Sequence, residues 1–187
     1  MQTQLRLAGT GGQGQILAGI ILADAAVTYD VKYATQSQSY GPESRGGASR
    51  ADVVISDEPV DYPKVIEADL LLCMSQEAYD KYAKDTTEDG IILVDSTLVP
   101  SYCNEDPRVV ACPITGVARD ELGRIIVANV VALGLIVELT DIVSTEAVRK
   151  AVTARVPPGT EEANLRAFER GRSLINECLT PGKMSGE

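Results

Sequence analysis

The spacing of apolar positions changes several times along the chain, and each change marks an element. Residues 4–8 alternate as a short strand would. Ile16, Leu17, Ile20, Ile21, Ala25 and Val27 then recur at helical spacing. Between them lies Gly9-Thr-Gly-Gly-Gln-Gly14, so the chain opens as strand, glycine turn, helix. Residues 31–36 predict a second strand. Residues 51–56 form a near-continuous apolar run, the pattern of a strand buried on both faces. Residues 70–74, 91–94 and 109–112 predict three more short strands, separated by a polar helix over 76–84 and by turns at Pro59, Pro63 and Asp89-Gly90. From Val117 the period turns helical again. Residues 123–139 are apolar nearly all round, so a helix there is buried on more than one side. Asp141 or Ser144 offers a cap for a helix through Arg155, which Pro157-Pro158-Gly159 ends. Thr160, followed by Glu161 and Glu162, opens a last helix to about Leu179.

Strands alternating with helices predict an α/β fold: a Rossmann-like, three-layer α/β/α domain with a mainly parallel sheet and C-terminal helices. The length of 187 residues suits one domain. It is expected over residues 1–180, with 181–187 a frayed tail. With no Trp and a single Phe, the core has to be aliphatic.

Charge and cysteine usage exclude several functions. A net charge of −10 repels a nucleic-acid backbone, and no basic cluster offsets it. No His is present, which excludes histidine acid–base chemistry and His-based triads, and no G-x-S-x-G turn occurs. The 4 Cys, at 73, 103, 112 and 178, include no C-x-x-C pair, so zinc and iron–sulfur spacings are not supported. The apolar stretch 125–139 is interrupted by Asn129 and Glu138 and is too short to span a bilayer. No signal peptide is visible. The expectation is a cytoplasmic protein, without membrane or nucleic-acid partners, whose thiols stay reduced. Cys73 then reads as an inert buried thiol, and no disulfide is expected between Cys103 and Cys112.

Gly9, Gly11 and Gly14 match G-x-G-x-x-G, with a strand before and a helix after. Such a turn lets the backbone approach a phosphate closely, and the helix start supplies free N–H groups and partial positive charge. A dinucleotide site also needs an acid at the end of the second strand, for the ribose hydroxyls. Here that end reads Gln36, Ser37, Gln38, and Asp30 precedes the strand. The residues leave two readings open: a tight turn without ligand, or a site for another anion on Gly9, Gly11, Gly12, Gln13 and Gly14.

The stretch Ser39-Tyr40-Gly41-Pro42-Glu43-Ser44-Arg45-Gly46-Gly47 is dense in recognition chemistry. Arg45 can grip a carboxylate or phosphate with two donors, and Tyr40 carries a flat apolar face with a polar tip. Equally, the stretch can be a connection between two paired strands, with Glu43 and Arg45 as a solvated pair.

Together "GTGGQGQ", "QSYGPESRGG" about 25 residues later, and "ADVVIS" resemble the gamma subunit of 2-oxoacid:ferredoxin oxidoreductases acting on 2-oxoglutarate, 2-oxoisovalerate or pyruvate. "ADLLLCMSQEAYDKY" and "ILVDSTLV" look like the same family, and the likeness runs over residues 4–180. The resemblance implies a subunit that supports CoA-dependent oxidative decarboxylation of a 2-oxoacid to acyl-CoA, with electrons passed to ferredoxin. It implies that thiamine diphosphate, Mg and iron–sulfur clusters belong to alpha, beta and delta partner subunits, and that the isolated chain is inactive. It also implies CoA at the glycine turn, and an interface with the thiamine-bearing partner or the CoA channel at Tyr40, Glu43, Arg45, Gly46 and Gly47. Alternatives are the indolepyruvate-specific enzyme and a free-standing Rossmann-like nucleotide-binding protein. Without its partners the chain is expected to form a homodimer.

Other residues carry milder expectations. Asp95-Ser96-Thr97 and Ser56-Asp57-Glu58 end strands and read as capped turns before they read as site edges. Asn129 reads as a satisfied interior amide. Thr115 and Gly116 are expected in a turn.

Overall fold

The computed structural model describes residues 2–40 and 48–179. Six strands form one sheet: β1 (Gln2–Thr10), β2 (Tyr33–Tyr40), β3 (Ala48–Ser56), β4 (Ala68–Cys73), β5 (Thr86–Asp95) and β6 (Val109–Cys112). Their order is β2-β3-β1-β4-β5-β6. The pairs β1–β4, β4–β5 and β5–β6 are parallel, whereas β1–β3 and β2–β3 are antiparallel. The sheet is therefore mixed. Periodicity recognised β3 as a strand, but burial on both faces cannot report that it runs against its neighbours.

Six helices complete the fold: α1 (Gln15–Asp24), α2 (Gln76–Tyr82), α3 (Ile114–Asp120), α4 (Ala128–Thr140), α5 (Thr145–Arg155) and α6 (Glu161–Cys178). Helix α1 runs on into a π turn, Ala25–Tyr29. Alternate strand residues face opposite layers. Leu5, Leu7, Val53, Ile55, Leu70, Leu72 and Leu93 join the larger core with α1, α4, α5 and α6. Ala8, Val54, Leu71, Cys73, Ile92 and Val94 join a smaller core with Ala78 and Tyr82 of α2. The three layers are thus unequal, because the second helical layer holds only α2.

Helix α4 is buried from Ala128 to Val137, as its all-round apolar sequence requires. It begins later than the pattern suggests, because Gly123 (φ 67) turns the chain and residues 125–127 form a single 3-10 turn. Ser144 accepts from the Ala147 N–H and caps α5, while Asp30 accepts from both the N–H and the hydroxyl of Ser144 at 2.6 Å. Asp89-Gly90 does not end a strand. It lies inside β5 at an irregularity in the pairing with β4, where strand pairing overrides the local turn preference.

Cysteine chemistry departs from expectation. Cys112 at the end of β6 and Cys178 at the end of α6 form a disulfide. They are 66 residues apart, a separation that no local spacing rule detects. The expectation of uniformly reduced thiols fails because the fold brings the ends of these two elements together. Cys73 is buried, and burial, with a smaller contribution from Asp80, pushes its thiol far above the ordinary range. Cys103 is exposed.

Candidate functional site

Five of the six strands point the same way, and the glycine turn crosses the sheet at their carboxyl ends. The turn is held from inside by Gln13. Its Oε1 accepts from the Thr10 N–H at 2.7 Å and from Gln15 Nε2 at 2.9 Å. Its Nε2 donates to the Met74 carbonyl at 2.9 Å, just past β4. Gly9 has no side chain for a steric reason, since a Cβ there would overlap the Gln13 and Gln15 amides. Gly14 is left-handed (φ 83), and its Cβ would press on Asn129. Asn129 is buried and donates from Nδ2 to the Gly14 carbonyl at 3.2 Å, tying the start of α4 to the turn.

Gly11 and Gly12 differ from the other two. A Cβ on either would meet nothing within 4 Å, so their bareness leaves open space. Gly12 also needs its left-handed backbone (φ 91). Beyond them the N–H groups of Gln15, Ile16 and Leu17 open α1 and have no acceptor within the helix. Two cavities meet at Gly12. One of about 340 Å³ runs past Leu17, Ile126 and Pro157 to Arg124, Thr160 and Asn164. The other, about 150 Å³, lies between Met74, Leu98, Thr115, Ile125 and Ile126. Arg124 and Val127 also line a third, of about 330 Å³, with Glu121 and Arg166.

Of the recognition-rich stretch, residues 41–47 lie outside the described residues, and so do the expected positions Glu43, Arg45, Gly46 and Gly47. The strands that bracket it are described. Tyr40 pairs with Ser49, and Ala48 pairs with Thr10. The two motifs, distant in sequence, are therefore anchored at the same end of the sheet, where β1 carries its carboxyl end.

Asp95 is fully buried and works structurally. It accepts from the Thr97 N–H at 3.1 Å, the Thr115 N–H at 3.2 Å and the Thr115 hydroxyl at 2.5 Å, which joins the end of β5 to the start of α3. Gly116 donates its N–H to Thr97 Oγ1. This is the capped turn expected. Ser56-Asp57-Glu58 lies at the opposite end of the sheet, because β3 runs antiparallel to β1, and Ser56 Oγ accepts from the Glu58 N–H.

One cluster escaped sequence reasoning. Arg6 and Asp52 are register partners across β1 and β3, each only 3% exposed. Arg6 Nε donates to Asp52 at 2.9 Å, its Nη2 donates to the Val65 carbonyl at 2.6 Å, and its guanidinium sits 5.2 Å from the Tyr82 ring centre. Single charges within alternating strands look solvent-facing. Only the register reveals the pairing.

The described cysteines and acids do not gather into a set that fits a redox cluster or an acidic metal site. Cys73 is sealed in β4, Cys112 and Cys178 are bonded to each other, and no group of three or more His, Cys, Asp or Glu converges among the described residues. No described helix is long and apolar enough to cross a membrane.

Comparison with known proteins gives a consistent picture. A family model described as pyruvate ferredoxin/flavodoxin oxidoreductase matches residues 4–174. The 2-oxoglutarate synthase subunit KorC of Methanocaldococcus jannaschii is 52% identical over 95% of this chain and 96% of its own length. The pyruvate synthase subunit PorC of Methanothermobacter marburgensis is 31% identical over 88% and 92%. Among solved structures, the gamma subunit of the keto/oxoacid ferredoxin oxidoreductase from Geobacter sulfurreducens superposes with a TM-score of 0.87 at 48% identity, covering 95% of this chain and 98% of that one.

Proposed function

The chain belongs to the pyruvate ferredoxin/flavodoxin oxidoreductase family as a gamma subunit of a 2-oxoacid:ferredoxin oxidoreductase, and we propose that its complex acts on 2-oxoglutarate. The observation that carries the substrate is the identity gradient. The end-to-end match to a 2-oxoglutarate synthase subunit is far stronger than that to a pyruvate synthase subunit.

The donor set supports a division of labour, since no group of three or more His, Cys, Asp or Glu converges among the described residues. Thiamine diphosphate, Mg and the iron–sulfur clusters are assigned to partner subunits, and this chain supplies a rigid surface beside them. The glycine turn is assigned to the phosphates of CoA. Gln13 is engaged within the turn, so the contacts fall to the backbone of Gly11 and Gly12 and to the first N–H groups of α1. Tyr40, Glu43, Arg45, Gly46 and Gly47 are assigned to the adjoining interface, because their flanking strands end beside the turn. The complex is assigned to the cytoplasm.

The test is purification of the tagged chain from its native host without oxygen, followed by assay of a 2-oxoacid panel with CoA and a ferredoxin substitute. Stoichiometric thiamine-bearing partners and the highest kcat/KM on 2-oxoglutarate are expected. A preference for pyruvate or a branched 2-oxoacid would overturn the substrate. A chain that brings down only a nucleotide would overturn the subunit role.

A further inference from the structure

Nine large apolar side chains stand exposed among the described residues, and three of them gather at one place. Ile125 is 59% exposed, Ile126 73% and Leu98 38%, and all three line the 150 Å³ cavity beside the glycine turn. The local backbone explains the isoleucines. Gly123 turns the chain out of α3, the Arg124 N–H returns to the Ala118 carbonyl, and a single 3-10 turn follows. One such turn can direct only one of three successive side chains inward, and that is Val127. Two adjacent isoleucines remain in water, against the hydrophobic effect.

The neighbouring charge is equally unmatched. Nine of the ten described arginines lie within ion-pair distance of a carboxylate of this chain: Arg6, Arg50, Arg108, Arg119, Arg149, Arg155, Arg166, Arg170 and Arg172. Arg124 has no such partner among the described residues, in a chain with 27 acidic side chains. It adjoins the exposed isoleucines. An aliphatic pair beside an unpaired arginine is the composition of an interface centre, where apolar anchors and arginine dominate the energetics.

We propose that this surface docks a partner subunit of the complex, which presents an apolar side chain to the cavity between Leu98, Ile125 and Ile126 and a carboxylate to Arg124. The proposal rests on the subunit reading above. A protein surface is favoured over a small ligand because a molecule lying in the cleft would leave the outward faces of the isoleucines wet. The 150 Å³ cavity suits a single side chain, and Arg124 opens onto the adjoining cavities of about 340 and 330 Å³. The complementary charge is assigned to a partner because no carboxylate of the described residues lies within ion-pair distance of Arg124.

The experiment compares the tagged wild-type chain with Arg124→Glu, Ile126→Asp and, at the amino-end edge of β4, the exposed Ile66→Asp. Each is expressed in the native host lacking the untagged copy and purified without oxygen. Recovered thiamine-bearing subunits are quantified by mass spectrometry, and thermal unfolding of each isolated chain is recorded. Arg124→Glu and Ile126→Asp are expected to weaken association about tenfold or more, with unfolding unchanged, whereas Ile66→Asp assembles normally. Wild-type recovery by both site variants would overturn the docking surface and leave the subunit role intact. Intact assembly with a raised KM for CoA would assign the surface to a small anionic ligand and overturn the proposal. Loss of self-association by the isolated site variants, with partner recovery intact, would assign it to a second copy and likewise overturn it. A wild-type chain that recovers no thiamine-bearing subunit would overturn the subunit reading and the docking surface with it.

Discussion

At the scale of single residues, the glycine turn divides into positions where a side chain would displace the turn's own amide contacts and positions that leave room. Gly9 and Gly14 are closed by the Gln13, Gln15 and Asn129 amides, while Gly11 has open space and no left-handed backbone. Gly11→Asp is therefore expected to fold like the parent, with an unchanged unfolding midpoint, and to raise the KM for CoA by setting a carboxylate where phosphate is proposed to bind. An unchanged KM would remove the anion assignment from the turn. Sequence identified the turn because its spacing and flanking periods are local signals. It did not separate the roles within it, since Gln13 looks like a ligand residue until its partners at Thr10 and Met74 are known.

At the scale of elements, two contacts govern how α6 sits. Gly134 of α4 and Gly171 of α6 allow close approach: a Cβ on Gly134 would overlap the Phe168 carbonyl, and one on Gly171 the Val131 carbonyl. Backbone cannot yield as a flexible side chain does. Gly171→Ala is expected to destabilise by about 1–3 kcal/mol or more, read as a lowered urea midpoint. An unaltered midpoint would mean that the helices part freely. The other contact is the Cys112–Cys178 disulfide. Closing a loop with a separation of 66 residues stabilises by about 4 kcal/mol in the chain-entropy picture, so dithiothreitol is expected to lower the midpoint. A midpoint insensitive to the reductant would show that the cross-link adds nothing. Most elements were legible: residues 109–112 form β6 as read, and residues 76–84 hold α2 and its 3-10 extension. What escaped depended on long-range pairing. The direction of β3, the strand running through Asp89-Gly90, the Arg6–Asp52 pair and the disulfide each join segments that carry no local mark of the other.

At the scale of the whole molecule, charge and topology set the behaviour. Arg155 holds the Asp24 carboxyl below its usual range, Arg108 does so for Asp106, and Arg170 for Glu121. A depressed carboxylate binds fewer protons folded than unfolded. Its stabilisation is complete above the ordinary carboxylate pKa of about 4 and is lost as pH falls through the folded value. Meanwhile the −10 charge shrinks toward the pI near 4.5, which relieves self-repulsion. The melting temperature is therefore expected to hold or rise from pH 7 to about 5 and to fall below about 4. A monotonic decline from pH 7 would show that repulsion is not significant and that these pairs do not dominate the acid limb. The position of β1 has a different consequence. Its neighbours are β3 and β4, both made after it, so during synthesis β1 stays open on both edges until the chain well beyond it has been made. One side closes at Ser56 and the other only at Cys73. Until then the nascent chain leaves the apolar side chains of β1, Leu5 and Leu7 among them, in water, and the need for shielding during synthesis concentrates in this interval.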